Sequence, residues 1–291
     1  MYPFAVHWCL MPELPEVETI ARGLHKRVAG DEIQSVWLGE KPQPLKSPPA
    51  EIASVLEHSR IERVRRVGKH IVFDLQRVSR GRRATSQRGQ WIVHLGMTGR
   101  MVVTTPDVEV ARHTHAIVKL ASGNEVRFVD PRRFGRLAVT RQSENLPEGF
   151  QAPGDEPLES QAGRFVELFH GRKTPIKSAL LNQKLLSGIG NIYADESLFR
   201  AGIRPRRRAA SLSKDQLRQL HAAVQQVLRE AIALGGSSVS DYVDADGAEG
   251  FFQLQHRVYG REGEPCLVCQ TPVKRIVIAG RSSHYCPVCQ K

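Results

Sequence analysis

The sequence lacks any long apolar run: no segment reaches the ~18–20 residues that a membrane-spanning helix requires. Residues 1–10 have no basic region and are too short for a secretory signal peptide. No internal repeat is evident either. These absences argue against a membrane-spanning or secreted protein, and we expect a cytoplasmic one.

Acidic residues are few relative to basic ones, with 30 Asp and Glu against 42 Lys and Arg. The net charge is therefore +12, and the pI is near 9.8. Such a charge suits a polyanionic partner, although a basic protein with no nucleic-acid role stays an alternative on charge alone. The 291 residues are enough for two domains with a sizeable core.

Cysteine is also scarce, but four of the five cysteines are close together near the carboxyl end. The pattern C-x2-C-x16-C-x2-C is typical of two zinc knuckles, in which four thiolates close a tetrahedral site without water. We therefore predict one structural Zn²⁺, and two disulfides are the alternative, disfavoured without a secretion signal. The predicted ligands are Cys266, Cys269, Cys286 and Cys289, whereas Cys9 has no assigned role.

The hydrophobic pattern predicts an α+β protein. Residues 15–30 favour an amphipathic helix with acidic side chains in its first turn and basic ones in its last. Between residues 33 and 140 the pattern favours strands of an antiparallel sandwich. The predicted strands are 61–67, 70–75, 91–95, 116–120, 126–129 and 137–140.

A linker rich in Pro and Gly is predicted at residues 145–157, and the pattern beyond it is helical. We expect helices around 165–169, over 176–186 and over 191–200. A longer helix begins at Ser213, where Gln216 completes a capping box, and ends at Gly235-Gly236. Residues 236–250 favour a mobile loop, and 273–278 and 283–285 favour a hairpin.

A segment at residues 78–90 lies between two predicted strands and is rich in arginine. A solvated loop and an additional phosphate contact are both consistent with it. The arginines concerned are Arg80, Arg82, Arg83 and Arg88.

The stretch Met11-Pro12-Glu13-Leu14-Pro15-Glu16 indicates a candidate catalytic amine. If translation starts at Met11 and the methionine is removed, Pro12 has a free secondary amine that can form an iminium with an aldehyde carbon. The alternative is an ordinary helix entry with Pro15 at the first helical position. That alternative explains Pro15 but not the residues before it.

Four further blocks accompany this stretch: His94-Leu95-Gly96-Met97-Thr98-Gly99, Asp130-Pro131-Arg132-Arg133-Phe134-Gly135, Gly188-Ile189-Gly190-Asn191-Ile192-Tyr193, and the four-cysteine finger. In order and content they resemble the formamidopyrimidine-DNA glycosylases, over essentially residues 11–291. The resemblance implies an N-terminal helix with an antiparallel β-sandwich, a helical domain with a helix–two-turn–helix, and a β-hairpin zinc finger.

The domains expected from this resemblance have the following bounds. Residues 1–11 are an extension absent from the mature enzyme, and 12–145 form the catalytic sandwich. A linker occupies 146–158, and the helical domain occupies 159–236. A loop that caps the lesion follows at 237–260, and the zinc finger occupies 261–291.

The resemblance also implies the catalytic residues, which are Pro12, Glu13, Lys69 and Arg281. Pro12 supplies the amine, and Glu13 shuttles protons to the departing base or the opening sugar. Lys69 reaches a phosphate and helps elimination, unless it is a surface hairpin lysine. Arg281 grips the phosphates of the damaged nucleotide, and a solvated turn arginine is its alternative. Glu16 is expected to be structural, orienting the amine or the first helical turn.

The DNA-binding residues implied are His94, Met97, His113, Arg132, Phe134, Arg172, Lys177 and Asn191. Met97, Arg132 and Phe134 form a wedge that fills the space left by a flipped base, although the Met and Phe alone would favour a core position. Asn191 opens a helix whose N–H groups face a phosphate, or it is a plain helix cap. The histidines contact DNA or are buried and hydrogen-bonded.

The expected function is a DNA glycosylase and abasic-site lyase acting on oxidised purines in damaged double-stranded DNA. We expect a monomer, associated with the nucleoid through DNA and without membrane contact. An endonuclease VIII-type enzyme for oxidised pyrimidines is one alternative. A catalytically silent DNA-damage-binding protein is another, if Pro12 is not N-terminal.

Overall fold

The computed structural model describes residues 11–78, 86–141, 150, 154–237 and 250–291. These residues form two units. The first contains the described residues within Glu16–Ala152, with residues 11, 12, 237 and 250; the second contains Glu13–Pro15, the described residues within Pro153–Gly236, and Phe251–Lys291. Helix α1 (Leu14–Val28) begins in the second unit and continues in the first. No helix in the described residues is long and apolar enough to cross a membrane.

The first unit contains two four-stranded antiparallel sheets. One has β1 (Ile33–Leu38), β6 (Thr114–Leu120), β7 (Glu125–Val129) and β5 (Arg100–Thr104), in that order across the sheet. The other has β2 (Arg60–Val67), β3 (His70–Val78), β4 (Ser86–His94) and β8 (Arg136–Thr140). A short helix, α2 (Pro49–Leu56), begins with proline, whose fixed φ suits a first turn.

Both sheets share one hydrophobic core with the apolar stripe of α1. Val17, Ile20 and Leu24 are almost fully buried in this core, together with Phe73 and Phe128 from the two sheets. Each such aliphatic side chain stabilises the fold by about 1.5–3 kcal/mol relative to exposure. The predicted helix and antiparallel sandwich are therefore confirmed.

Two strands and one helix of this unit escaped prediction, namely β1, β5 and α2. Strand β1 is at the edge of its sheet, and Ile33 is its only fully buried residue, so its hydrophobic alternation is weak. The expected loop at 78–90 is wrong for residues 86–90, which pair with β3 from Val78↔Ser86 to Asp74↔Gln90. Arg88 is exposed on β4, whereas Arg80, Arg82 and Arg83 lie outside the described residues.

The second unit contains α3 (Ala162–Phe169), α4 (Ile176–Leu180), α5 (Asn191–Arg200) and α6 (Lys214–Ala233). The predicted capping box is present: Ser213 Oγ accepts the Gln216 N–H at 3.1 Å, and Gln216 Oε1 accepts the Ser213 N–H at 3.1 Å. Helix α6 ends at the two predicted glycines, since both Gly235 and Gly236 have positive φ.

Helix α4 is shorter than the predicted 176–186. It ends before Asn182, whose Oδ1 accepts the Lys184 N–H at 3.0 Å and so offers the backbone a turn instead of another helical bond. Gln183 then holds the following turn, accepting the Gly188 N–H at 3.0 Å and donating to the Ile189 carbonyl at 2.7 Å.

The unit ends in the predicted hairpin, formed by β9 (Lys274–Ile278) and β10 (Arg281–Tyr285). Of the predicted linker, Phe150 is buried against Val72, Ile92 and Ala138, so the chain is packed at that point. Most of the predicted mobile loop, residues 238–249, lies outside the described residues. The predicted domain bounds stay predictions.

Candidate active site

Glu13 lies buried at the amino end of helix α5. Its carboxylate accepts the N–H groups of Ile192 at 3.2 Å and Tyr193 at 3.5 Å, where the helix dipole favours a negative charge. A Cβ on Gly190 would lie 2.2 Å from Glu13 Cδ, so only glycine leaves room for this side chain. The Gly-Ile-Gly motif therefore makes room for Glu13 at this site.

Gly188 has a similar role for the residue after Glu13. Its φ is +82°, and a Cβ there would lie 2.8 Å from the Leu14 side chain. The Leu14 N–H also donates to the Gly188 carbonyl at 3.0 Å. These contacts fix the start of α1, and with it the position of Glu13.

Asn191 opens α5, as predicted, but Gly190 is the N-cap, so the plain-cap alternative is wrong. The expectation for the nearby backbone also needs correction, because the anion at Ile192 and Tyr193 is the Glu13 carboxylate and not a phosphate. The Asn191 Nδ2 donates to Ser282 Oγ at 3.2 Å. Its amide also hydrogen-bonds the hydroxyl of Tyr259. Asn191 as a DNA ligand thus stays a prediction.

Tyr259 was missed by sequence reasoning. Burial raises the pKa of its hydroxyl, the negative charge of Glu13 adds to this, and Arg281 opposes it. The hydroxyl is therefore neutral near pH 7 and can donate a hydrogen bond to a phosphate oxygen. The only sequence signal was a tyrosine before a glycine ahead of the finger, which is weak.

Arg281 is exposed at the tip of the β9–β10 hairpin. It follows a two-residue turn of Ala279 and Gly280, both with positive φ, which is the turn that a tight hairpin prefers. The location agrees with the prediction, and its phosphate contact stays a prediction.

The four finger cysteines are brought together by this hairpin. Their Sγ atoms all lie within 4.8 Å of one another, and the four thiols are free, so the disulfide alternative is wrong for them. The N–H groups of Val268 and Cys289 point at Cys266 Sγ (3.5 Å) and Cys286 Sγ (3.4 Å), as donors that stabilise metal-bound thiolates do. The donor set fits a structural zinc.

Lys177 is fully buried and pairs with Asp195, with 2.7 Å between Nζ and Oδ1. Burial lowers its pKa, and Asp195 opposes the change. The Lys177 side chain is only 1% exposed, which disfavours a direct DNA contact, and that contact stays a prediction. Arg172 is exposed, with its Nε donating to the Leu168 carbonyl, and its DNA contact stays a prediction.

The first unit holds the predicted wedge on two loops tied together by Asp130. The buried Asp130 carboxylate accepts the Thr98 hydroxyl at 2.5 Å and the Gly135 N–H at 2.7 Å. Gly96 has a φ of +67°, and a Cβ there would lie 2.6 Å from the Phe134 carbonyl carbon. Gly96 of the His-Leu-Gly-Met motif therefore lies where the loop that carries Met97 contacts the loop that carries Phe134.

The wedge side chains are grouped at the surface. The Arg132 guanidinium lies 4.9 Å from the Phe134 ring centroid, and its Nη1 lies 3.9 Å from Met97 Sδ. Phe134 is 49% exposed and Met97 is half-buried, so the core alternative is wrong for Phe134. An apolar ring, a thioether and a forked cation can together enter a base stack and hydrogen-bond an orphaned base.

Lys69 lies half-buried in the predicted turn between β2 and β3, where Gly68 has a φ of +58°. Beside it, burial lowers the pKa of His94 to about 3, with smaller effects from the positive groups of His70, Arg136 and Lys69. His94 is therefore neutral, and its Nδ1 accepts the Gly96 N–H at 3.1 Å, which leaves Nε2 as the protonated nitrogen. His113 is exposed, and its contact with DNA stays a prediction.

Glu16 is buried and accepts the N–H of Ser237 at 2.8 Å. The expectation that it is structural agrees with this bond. The donor in the bond, however, is Ser237, the first residue of the predicted capping loop, and not the amine or the first turn of α1.

The chain is basic and has an exposed wedge of apolar and cationic side chains. It also has a buried carboxylate at the amino end of a helix, and a ribbon, the β9–β10 hairpin, beside four cysteines and with an arginine at its tip. These are features of a DNA-binding protein that acts on a displaced nucleotide. Three family models match the chain. They are the formamidopyrimidine-DNA glycosylase N-terminal domain over residues 11–137, the H2TH domain of the same enzymes over 153–243, and a zinc finger found in FPG and IleRS over 263–291.

Individual relatives agree over the full length. A formamidopyrimidine-DNA glycosylase of Desulfitobacterium hafniense is 44% identical, covering 96% of this chain and all of the relative. The crystal structure of MutM (Fpg) from Thermus thermophilus is 40% identical with a TM-score of 0.82, covering 96% of this chain and 98% of that one. A Lactococcus lactis Fpg complex with DNA containing an abasic site is 33% identical with a TM-score of 0.85, covering 96% and 99%. The chain belongs to the formamidopyrimidine-DNA glycosylase family.

Proposed function

We propose that this protein is a bifunctional DNA glycosylase and abasic-site lyase that removes oxidised purines from duplex DNA. The observation that carries the proposal is the placement of Glu13, next to Pro12 in the chain and locked at the amino end of α5. A buried carboxylate held by two N–H groups beside a proline amine is a pairing that serves proton transfer and nucleophilic attack together.

The reaction follows from these groups. The Pro12 amine attacks the sugar C1′ and the glycosidic bond breaks, while the Glu13 carboxylate relays the proton that the amine loses to the departing base. The C1′–O4′ bond then breaks, O4′ takes up a proton, and the open sugar is left joined to Pro12 as an iminium. The resulting iminium acidifies the neighbouring sugar carbon, so β-elimination breaks the bond to the phosphate on the 3′ side. A second, δ-elimination releases the 5′ phosphate and leaves a one-nucleotide gap. Arg281 and Lys69 are proposed to hold the phosphates that leave.

The wedge and the charge support the same activity. Met97, Arg132 and Phe134 would replace the flipped nucleotide in the stack, with Arg132 donating to the base left opposite. The net charge of +12 supports association with the nucleoid DNA of the cytoplasm. Zinc would be held by the four finger thiolates, where it supplies rigidity to the ribbon and no chemistry.

The substrate class is tested with two duplexes that differ only in the lesion. Protein that begins at Pro12 should release 8-oxoguanine opposite cytosine, and cleave on both sides of the site, faster than it processes an oxidised pyrimidine. Denaturing gels report the cleaved strand and both end groups. A faster reaction on the pyrimidine would favour the endonuclease VIII-type alternative, and tight binding without cleavage of either would favour the silent binder.

The wedge makes a separate prediction. Met97→Ala should slow excision of 8-oxoguanine on the order of ten-fold or more, yet change cleavage of a preformed abasic site little, because an abasic nucleotide has no base to unstack. Single-turnover rates on the two substrates measure the split. Val110→Ala is the matched control, since it also trims an exposed apolar side chain of the same unit. Equal losses on both substrates would argue against the wedge role.

A further inference from the structure

At one edge of the β9–β10 hairpin, the backbone groups of β10 are hydrogen-bonded by side chains instead of by another strand. Within the part of the chain that the structure describes, β10 pairs only with β9, so one edge of β10 has no strand beside it. On that edge the Ser282 carbonyl accepts from Lys177 Nζ at 2.5 Å, and the His284 N–H donates to Asp195 Oδ2 at 2.8 Å. Residues two apart on a strand present their backbone groups to the same side. Lys177 of α4 and Asp195 of α5 thus take the place of a neighbouring strand.

These two side chains also pair with each other in the interior. Asp195 is 1% exposed and Lys177 is fully buried, and 2.7 Å separates Asp195 Oδ1 from Lys177 Nζ. A buried ion pair is expensive to desolvate, and it is tolerated where each partner makes further hydrogen bonds. Here those further bonds all go to β10, so the pair is satisfied only while the ribbon is docked.

The docked strand carries or contacts three groups proposed to hold phosphates in this unit. Ser282 Oγ accepts from Asn191, and the His284 ring lies edge-on to Tyr259 with 5.1 Å between centroids. Arg281 immediately precedes Ser282. A shift of β10 away from α5 would therefore move Arg281 relative to Asn191 and Tyr259.

We propose that Lys177 and Asp195 are positioning residues that dock β10 and thereby hold Arg281 in place for the second, δ-elimination step. The inference rests on the proposed function, because it assigns these residues to a step of that reaction. Both side chains are buried within the protein. Glu13 accepts the N–H groups of Ile192 and Tyr193 on α5. Its charge also acts on Lys177, but these two hydrogen bonds do not involve β10, so the first step should be affected less than the second.

Double-variant kinetics separate positioning from general stabilisation. Asp195→Asn preserves shape but removes the counter-charge that pairs directly with the buried Lys177 ammonium. In protein that begins at Pro12, we expect it to slow δ-elimination at an abasic site on the order of 10- to 100-fold, the size of effect that a displaced group produces. Borohydride trapping, which reports the iminium, should change far less.

The decisive comparison uses Arg281→Ala and the combined variant. If Asp195 acts through Arg281, the combined variant should be no slower in δ-elimination than Arg281→Ala alone. Once the Arg281 side chain is absent, Asp195 has no group left to position, so its replacement adds no further loss. Asp215→Asn is the matched control, since it removes the charge of an exposed, ion-paired aspartate on α6. Zinc content and thermal melting of each variant report whether the finger and the fold persist.

Multiplicative losses in the combined variant, or equal losses in trapping and δ-elimination, would overturn the inference. If Asp195→Asn does not fold, His284→Ala replaces it in the same cycle, because it removes only the ring contacts with Asp195 and Tyr259. A parent protein that neither traps nor cleaves would overturn the proposed function itself. If the parent protein is active and the losses in δ-elimination rate multiply in the combined variant, only the positioning role is overturned.

Discussion

A chain that still carries residues 1–10 should form no Schiff base through Pro12, whereas a chain that begins at Pro12 should form one readily. In the longer chain the Pro12 nitrogen belongs to a tertiary amide, with no hydrogen and with its lone pair delocalised into the carbonyl. Such a nitrogen cannot become an iminium. In the shorter chain it is an α-amine with a pKa of about 7.7–8, against about 10.4 for lysine, so a much larger fraction of it than of a lysine is unprotonated near neutral pH.

The test is borohydride trapping on duplex DNA containing 8-oxoguanine, with both chains checked by intact mass before and after the reaction. The expected difference is close to all-or-none. Binding of each chain to a duplex with a non-cleavable abasic analogue is the control, because it shows whether the longer chain still engages DNA. Efficient trapping by the intact longer chain would refute the assignment of the nucleophile.

Removal of zinc should abolish specific DNA binding while the β-sandwich stays folded. Binding of a structural zinc contributes about 10–16 kcal/mol in small zinc modules, and this is folding free energy. Cys266 and Cys286 form a small core with Val258 and Val273, against which Phe199 of α5 packs. Loss of the metal would therefore release the ribbon and Arg281. The larger core of the first unit contains no residue of the finger.

The zinc prediction is measured by chelation under reducing conditions, followed by DNA binding and by circular dichroism. We expect binding to vanish, the strand signal to remain, and added Zn²⁺ to restore binding. Metal analysis of untreated, active protein should give one zinc per chain. A value well below one in protein that still cleaves DNA would contradict the account.

Local patterns predicted the features that depend on neighbours in sequence. The capping box at Ser213 was predicted correctly because its two hydrogen bonds join residues three apart in sequence. The four-cysteine cluster was predicted correctly because its ligands lie within one short segment with a characteristic spacing. The glycines at 96 and 99 predicted a turn around Met97, but the close approach of Gly96 to Phe134 was not predicted.

Contacts between residues far apart in sequence could not be predicted from local patterns. Lys177 was expected to bind DNA, and nothing in the neighbouring sequence indicates that it would be buried against Asp195 and a strand about a hundred residues later. The α5 amino end was expected to face a phosphate, since the sequence does not say that Glu13 occupies it. Tyr259 was missed because its partner Asn191 is remote in the chain. Edge strand β1 was missed because its apolar residues do not alternate with polar ones: Gln34 and Ser35 are exposed next to each other, and the apolar Trp37 is exposed as well.

Identification of the trapped residue tests the central claim most directly. Protein that begins at Pro12 is reduced with borohydride on DNA containing 8-oxoguanine, digested with protease and nuclease, and the modified peptide is sequenced by mass spectrometry. The account predicts that the sugar remnant is attached to the amine of Pro12. Attachment to a lysine, with Lys69 the first to examine, would contradict it.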